Sequence, residues 1–287
     1  MLIVGTGAVA AFLCRSLKSD FQVFGAPSAR LSALDKLYSA GRESVGVSRP
    51  DEVGAHALWI VAVKAWQNSE KFELLKGAPR PQAVLVLQNG LDPEVCWRQP
   101  DWIVERGLST YGVRSIGPGV VEGGEMGCLT LKQHSAFHDV LEQAGLAVET
   151  AADMRASVWR KLAVNASLNV VATLYGLTNG EALAHPEGAH TMLQVCGEVA
   201  RLARCLGVEA EALDYWQHTQ HVARQTGENI CSTLADFRAG RPTEYDSING
   251  RLLQLGRQWG VKIPALQSLD RRFSSLAKNR VSECLFP

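Results

Sequence analysis

Leu2-Ile3-Val4-Gly5-Thr6-Gly7-Ala8-Val9-Ala10 is a short apolar strand that runs into a GxGxxA turn, followed by a helix-like segment from Ala11 to Ser19. In such a turn Gly5 permits the tight bend and Gly7 lets the backbone approach a pyrophosphate. The small Ala10 allows the helix to pack closely on the strand. The helix N-terminus then offers free N–H groups to the anion. A glycine triplet alone is weak evidence, but a strand before it and a helix after it make a dinucleotide-binding turn the better reading. Gly5, Thr6, Gly7, Ala8, Val9 and Ala10 are its candidate cofactor residues.

Working outward, a second strand is expected over Phe21 to Phe24. An NAD-binding unit would carry an acid at its end to hold the ribose 2′-hydroxyl. The chain instead continues Gly25-Ala26-Pro27-Ser28-Ala29-Arg30. With no acid to repel a 2′-phosphate and with Ser28 and Arg30 as donors, NADP is the expected cofactor. A solvated Arg30 opening the next helix is the bland alternative. Further apolar strands are expected over Ala57 to Val63 and Ala83 to Leu87, with a helix between, a pattern that predicts a parallel doubly wound sheet. Ligands of such sheets lie beyond the carboxyl ends of the strands. Lys64-Ala65-Trp66-Gln67 and Gln88-Asn89-Gly90 fall there, although a helix start and a β-turn would explain them equally well. Strands over Ile103 to Leu108 and Gly127 to Leu131, with glycine-rich sequence from 117 to 124 between them, close the first domain, and its boundary is expected near residue 150.

From about Met154 the patterning is helical, as in Thr191 to Leu206 and Ala210 to Thr226. The expected class is therefore α/β: a Rossmann-like doubly wound domain over 1–150 and an all-helical substrate domain over 151–287, with the active site in the cleft between them. Within the apolar run Trp159 to Leu174, Lys161, Asn165 and Asn169 recur every fourth position. Four residues advance a helix by about 400°, so the three side chains form one stripe. Buried polar groups need partners, which makes such a stripe a poor choice for a simple core helix and a good one for the wall of a polar site.

Across all 287 residues, 29 basic residues balance 29 acidic ones, and neither sign forms a long run. A general nucleic-acid or membrane-surface binder is thereby disfavoured and a small-molecule partner favoured. The seven cysteines are scattered without a CxxC pair, so neither a disulfide framework nor a zinc site is expected. His134 and His138, and His218 and His221, have helical metal-ligand spacing but lack a third ligand, so no metal is expected. Met1 to Val4 enters the glycine turn directly and no uncharged stretch reaches membrane-spanning length, so the expected location is the cytoplasm, without a membrane partner.

The chain resembles the ketopantoate reductase (2-dehydropantoate 2-reductase) family. The residues that carry the resemblance are Gly-Thr-Gly-Ala-Val-Ala at 5–10, Val-Lys-Ala-Trp-Gln at 63–67, Gln-Asn-Gly at 88–90, Trp-Arg-Lys-Leu-Ala-Val-Asn at 159–165, and Asn169. They continue with Asn-Gly-Glu-Ala-Leu at 179–183, Glu-Asn-Ile-Cys-Ser at 228–232, Asp236, and Gly-Arg-Pro-Thr-Glu-Tyr-Asp-Ser-Ile-Asn-Gly at 240–250. The resemblance implies reduction of 2-dehydropantoate to (R)-pantoate with NADPH, a step toward pantothenate and coenzyme A. It implies that Lys161 donates the proton to the C2 carbonyl oxygen, and that Glu244 lies near that lysine and the cofactor. It places Asn89, Asn165, Asn169, Asn179 and Ser232 on the substrate, Lys64 and Asn89 beside the nicotinamide, and the Val113 backbone on NADP. The chemistry is coherent: an ammonium stabilises and neutralises the charge that develops on the oxygen. Amide side chains both donate and accept, as a hydroxy-keto acid requires.

The family often places an arginine directly after the second strand, where this chain has Ser28, with Arg30 two residues on. Two other readings stay open: a reductase of another 2-keto acid on the same scaffold, and a non-catalytic NADPH-binding sensor. Thr243-Glu244-Tyr245-Asp246 also reads as a helix cap, and a homodimer is left open.

Overall fold

The fold is described from a computed structural model over residues 1–17, 21–25, 36–37, 45–48, 50–117 and 120–285. The chain divides into two compact units, Met1–Met154 and Arg155–Pro287.

The first unit is built on a seven-stranded sheet. Its strands are β1 (Leu2–Val4), β2 (Gln22–Phe24), β3 (Lys36–Leu37), β4 (Val45–Ser48), β5 (Leu58–Val61), β6 (Ala83–Val86) and β7 (Ile103–Arg106), in the spatial order β3-β4-β2-β1-β5-β6-β7. All neighbours pair in parallel except β3 and β4. The sheet buries both faces, and the period-two alternation of strand side chains divides its core. Ile3, Val23, Ile60 and Leu85 join Ala10, Phe12 and Leu13 of helix α1 (Ala8–Ser16) on one side. Leu2, Val4, Phe24, Trp59, Val61, Val84 and Val86 join Leu75 of helix α2 (Asn68–Leu75) and Trp97 on the other. The expected strands are thus present with trimmed ends, and α1 starts at Ala8, inside the glycine turn itself.

One departure follows β7. The expected strand through Leu108 breaks at Gly107, where a Cβ would stand 2.8 Å from Leu87 and 2.9 Å from Leu85, and resumes as β8 (Leu108–Ser109). The glycine-rich sequence, read as part of a turn-rich β region, holds a hairpin: β9 (Val113–Gly117) and β10 (Val120–Gly123) pair antiparallel there. Arg15 of α1 donates to Gly123 O at 2.7 Å, and Phe12 packs on Tyr111 with ring centroids 4.7 Å apart. Strands β11 (Leu129–Lys132) and β12 (Val148–Ala151), with helix α3 (His138–Gln143) between them, complete the unit, and β8 pairs with β11 in their three-stranded sheet.

The second unit is helical: α4 (Met154–Val164), α5 (Val170–Tyr175), α6 (Asn179–Ala184), α7 (Pro186–Cys205), α8 (Ala212–Gln225), α9 (Ser232–Arg238), α10 (Arg251–Trp259) and α11 (Pro264–Leu285). Along α7 the fully buried Met192, Val195, Cys196, Val199 and Ala203 recur at the helical period. Glu198, also buried on α7, accepts from the N–H groups of Ala265 and Leu266 at 2.8 Å each, so it caps α11 from a distance. Burial raises its carboxyl above the ordinary range, while those two N–H groups and Arg201 pull the other way.

The two glycines of the first turn are constrained differently. Gly5 has φ +137°, and a Cβ there would lie 2.9 Å from Ala62 O, whereas a Cβ on Gly7 would meet nothing within 4 Å among the described residues. Gly5→Ala should therefore destabilise the protein by about 2 kcal/mol or more. Gly7→Ala should change stability by no more than about 1 kcal/mol. Urea unfolding of the two variants checks both.

Candidate active site

The carboxyl ends of β1, β5 and β6 bring three of the expected segments to one edge of the sheet. The glycine turn leaves β1, Lys64 follows β5, and Gln88-Asn89-Gly90 follows β6. With β2 on one side of β1 and β5 on the other, this is the switch point at which doubly wound sheets take ligands. The turn suits a phosphate group. The Gly7 N-cap supplies no side chain to the first N–H groups of α1, and no acid stands in its first turn. The open space at the Gly7 Cβ position leaves the backbone approachable. Lys64 and Asn89 are half-buried, and Gln67 Oε1 accepts from the Lys64 N–H at 3.1 Å. Val113 opens β9 and packs, partly buried, on the cluster that contains α1. Ser28 and Arg30 lie outside the described residues.

A buried amide network that the sequence did not reveal holds two of these turns. Gln88 Nε2 donates to Val63 O at 2.8 Å and to Asn68 Oδ1 at 2.7 Å, and Trp97 Nε1 donates to the same Oδ1 at 3.0 Å. Asn68 Nδ2 donates to Pro93 O at 3.0 Å. An indole can only donate and a carbonyl only accept, so the orientation of Asn68 is fixed, and through it that of Gln88. The side chain of Gln88 therefore ties the segment before Lys64 to the segment before Asn89.

In the second unit the residues of the expected stripe are not carried by one regular α-helix. Lys161 sits in the last turn of α4, and residues Asn165–Asn169 form a π-helical segment before α5 begins. Such segments recur at functional sites. Asn169 Nδ2 donates to Asn165 Oδ1 at 3.3 Å, so the two amides are neighbours. Lys161 and Asn165 are half-buried and Asn169 is buried. Side chains supply the hydrogen bonds of the altered ladder: Ser167 Oγ donates to Ala163 O at 2.6 Å and Thr173 Oγ1 to Asn169 O at 2.7 Å. Cys231 Sγ donates to Asn169 O at 3.4 Å. Burial pushes that thiol up, which keeps it a donor at neutral pH.

Cys231 is also the N-cap of α9 and accepts from Leu234 N at 3.4 Å, which sets the exposed Ser232 next to the Asn169 turn. The same segment reaches Asn179. Asn229 O and Gly227 O accept from Asn179 N and Gly180 N at 3.0 and 2.9 Å. The Thr226 hydroxyl spends its proton on Val222 O, so it must accept from Asn179 Nδ2, at 2.8 Å. Among the described residues Asn179 Oδ1 is left as a buried acceptor without a partner. Residues 226–232 thus link Asn169, Ser232 and Asn179.

Glu244 is buried, and Thr243 Oγ1 accepts from Tyr245 N at 3.3 Å, so the expected cap-like turn forms. It leads into a second π-helical segment, Asp246–Gly250. Tyr245 anchors it by stacking on Phe273 of α11 at 4.0 Å and donating to Asp270 Oδ1 at 3.2 Å. Burial, with Asp270 and Asp246 nearby, raises its phenol.

His134 has φ +56° and lies before α3, whereas His138 opens that helix, so this pair does not share a helix face as its spacing implied. Among the described residues no three His, Cys, Asp or Glu side chains are grouped as metal ligands. Nor is any described helix long and apolar enough to cross a membrane.

An α/β unit with a phosphate-type turn, joined to a helical unit bearing a lysine and asparagines, has the composition of a two-domain oxidoreductase. The family model "Ketopantoate reductase PanE/ApbA" matches residues 1–135, and its C-terminal counterpart matches residues 153–274. The 2-dehydropantoate 2-reductase of Shigella flexneri is 30% identical over 256 residues, covering 84% of this chain and 80% of that one. A PanE/ApbA family ketopantoate reductase from Ralstonia eutropha JMP134 superimposes with a TM-score of 0.80 at 24% identity, over 94% of this chain and 96% of that one. D-mandelate dehydrogenase, in a ternary structure with NADH and anilino(oxo)acetate, shares the fold with a TM-score of 0.83 at 20% identity, over 96% and 97% of the two chains. The chain belongs to the ketopantoate reductase family.

Replacing Asn68 with Leu would strand the Trp97 N–H and the Pro93 carbonyl together. A loss of about 2–4 kcal/mol is expected in chemical unfolding.

Proposed function

We propose that the protein reduces 2-dehydropantoate to (R)-pantoate with NADPH, a step toward pantothenate and coenzyme A. In this reading Met1–Met154 is the NADP-binding unit and Arg155–Pro287 the substrate-binding unit. The observation that carries it is the Lys161, Asn165 and Asn169 stripe, which places a cation and two linked amides in an otherwise apolar helical run. An idle binding protein has no use for such a wall.

The dinucleotide would be held by the backbone from Gly5 to Ala10, with Lys64, Asn89, Val113 and Glu244 as further contacts and with Ser28 and Arg30 toward a 2′-phosphate. When bound, it supplies the hydride. Lys161 Nζ holds the proton destined for the C2 oxygen and stabilises the charge that grows there. Glu244 serves as the carboxylate that favours the ammonium form of that lysine. Asn165, Asn169, Asn179 and Ser232 bind the hydroxyl and carboxylate ends, with Asn89 at the reacting end. The unpartnered Asn179 Oδ1 suits a hydroxyl donor.

The test is oxidation of NADPH with 2-dehydropantoate, run beside NADH and beside simple 2-keto acids, since the same fold also carries D-mandelate dehydrogenase. Turnover restricted to 2-dehydropantoate with NADPH is the expected result. A preference for another keto acid would move the substrate, and silence with all of them would leave the sensor. Lys161→Ala should lower kcat by about 100-fold or more while NADPH still binds; an unchanged rate removes Lys161 from the role. Gly7→Ala, which the fold tolerates, should weaken NADPH binding measured by fluorescence titration.

A further inference from the structure

The two π-helical segments are joined to each other by one buried hydrogen bond. Asn249, only 1% exposed, lies inside the segment that follows Glu244, and its Nδ2 donates to Ala166 O at 3.0 Å. Ala166 lies inside the segment that carries Asn165 and Asn169 and follows Lys161. In an unbroken α-helix Ala166 O would accept from the N–H of Val170. That N–H donates instead to Ser167 O. The π turn thus turns Ala166 O away from its usual helical donor, in an interior where an unpaired carbonyl is costly. A carbonyl only accepts, so the amide of Asn249 has its nitrogen toward Ala166.

The second segment has a matching irregularity. The Arg251 N–H reaches back to Asp246 O and Ile248 O, and this wider turn directs the Asn249 side chain. Each segment therefore depends on the other. The first provides a carbonyl removed from its α-helical partner, and the second provides the donor that replaces that partner. Were residues Asn165–Asn169 to revert to α-helical spacing, Ala166 O would turn back toward Val170 N and shift relative to Asn249 Nδ2. The side chains after the turn would also rotate relative to Lys161.

We infer that Asn249 is a positioning residue: by holding Ala166 O it keeps Asn165–Asn169 in the π register and so sets the relative directions of Lys161, Asn165 and Asn169. The inference rests on the proposed function for its catalytic consequence, but its structural half stands on the hydrogen bond alone.

The test compares Asn249→Ala and Asn249→Asp with the wild-type chain. The first removes the side chain and the second keeps its volume while removing the donor. Hydrogen exchange is read over residues 165–171, with kcat and KM for 2-dehydropantoate and Kd for NADPH measured well below the melting temperature. Exchange at least about ten-fold faster in that segment than elsewhere in the helical unit is expected. The kcat should fall about 10- to 100-fold and the keto-acid KM should rise, with NADPH Kd unchanged. Unchanged local exchange overturns the inference, as does native kcat and KM in a variant whose segment has loosened. Should both variants fail to fold, Asn249 is a folding determinant and the positioning role is lost. Lys161→Ala, assayed beside them, separates the two ideas. If it retains full turnover the proton-donor reading fails, whereas the register role of Asn249 is still decided by exchange.

Discussion

A helix that carries a lysine and two asparagines through an apolar interior must find a partner for every backbone group it disturbs. That constraint governs the helical unit. The departure from α-helical hydrogen bonding between Asn165 and Asn169 is met by Ser167, Thr173, Cys231 and Asn249, drawn from the segment itself, the following helix, the start of α9 and the second π segment. A buried carbonyl without a donor would cost about 1–3 kcal/mol, enough to favour a plain α-helix. The unusual geometry persists because elements distant in sequence converge on it.

The α/β unit solves a similar problem with side-chain amides. Strands buried on both faces end in turns whose buried polar groups need partners. Asn68 and Gln88 join those turns into one network whose donor and acceptor roles are fully determined. Lys64 and Asn89 therefore extend from rigid rather than loose turns.

Much of the architecture is legible in the residues alone. The GxGxxA turn, the apolar strands on either side of it and the period-four polar stripe depend on local rules, namely chain reversal, alternation and helical pitch. What could not be read is equally specific. The hairpin β9–β10 lies in glycine-rich sequence that reads only as turn-rich β, whereas its bond from Arg15 of α1 to Gly123 O spans 108 residues. Asn249 stands in a recognisable motif, but its partner Ala166 is 83 residues away. Cys231 reads as an indifferent thiol until its bond to Asn169 O is seen.

The sequence by itself determined the class of the fold, the glycine turn and the period-four polar residues of the Lys161 run, because each is encoded by spacing within a few residues. Only the tertiary structure decided the π register, the orientation of the Asn68, Gln88 and Asn179 amides and the residues that hold them. Those depend on which donor meets which acceptor once distant segments pack, and hydrogen-bond complementarity of that kind leaves no periodic trace in the chain.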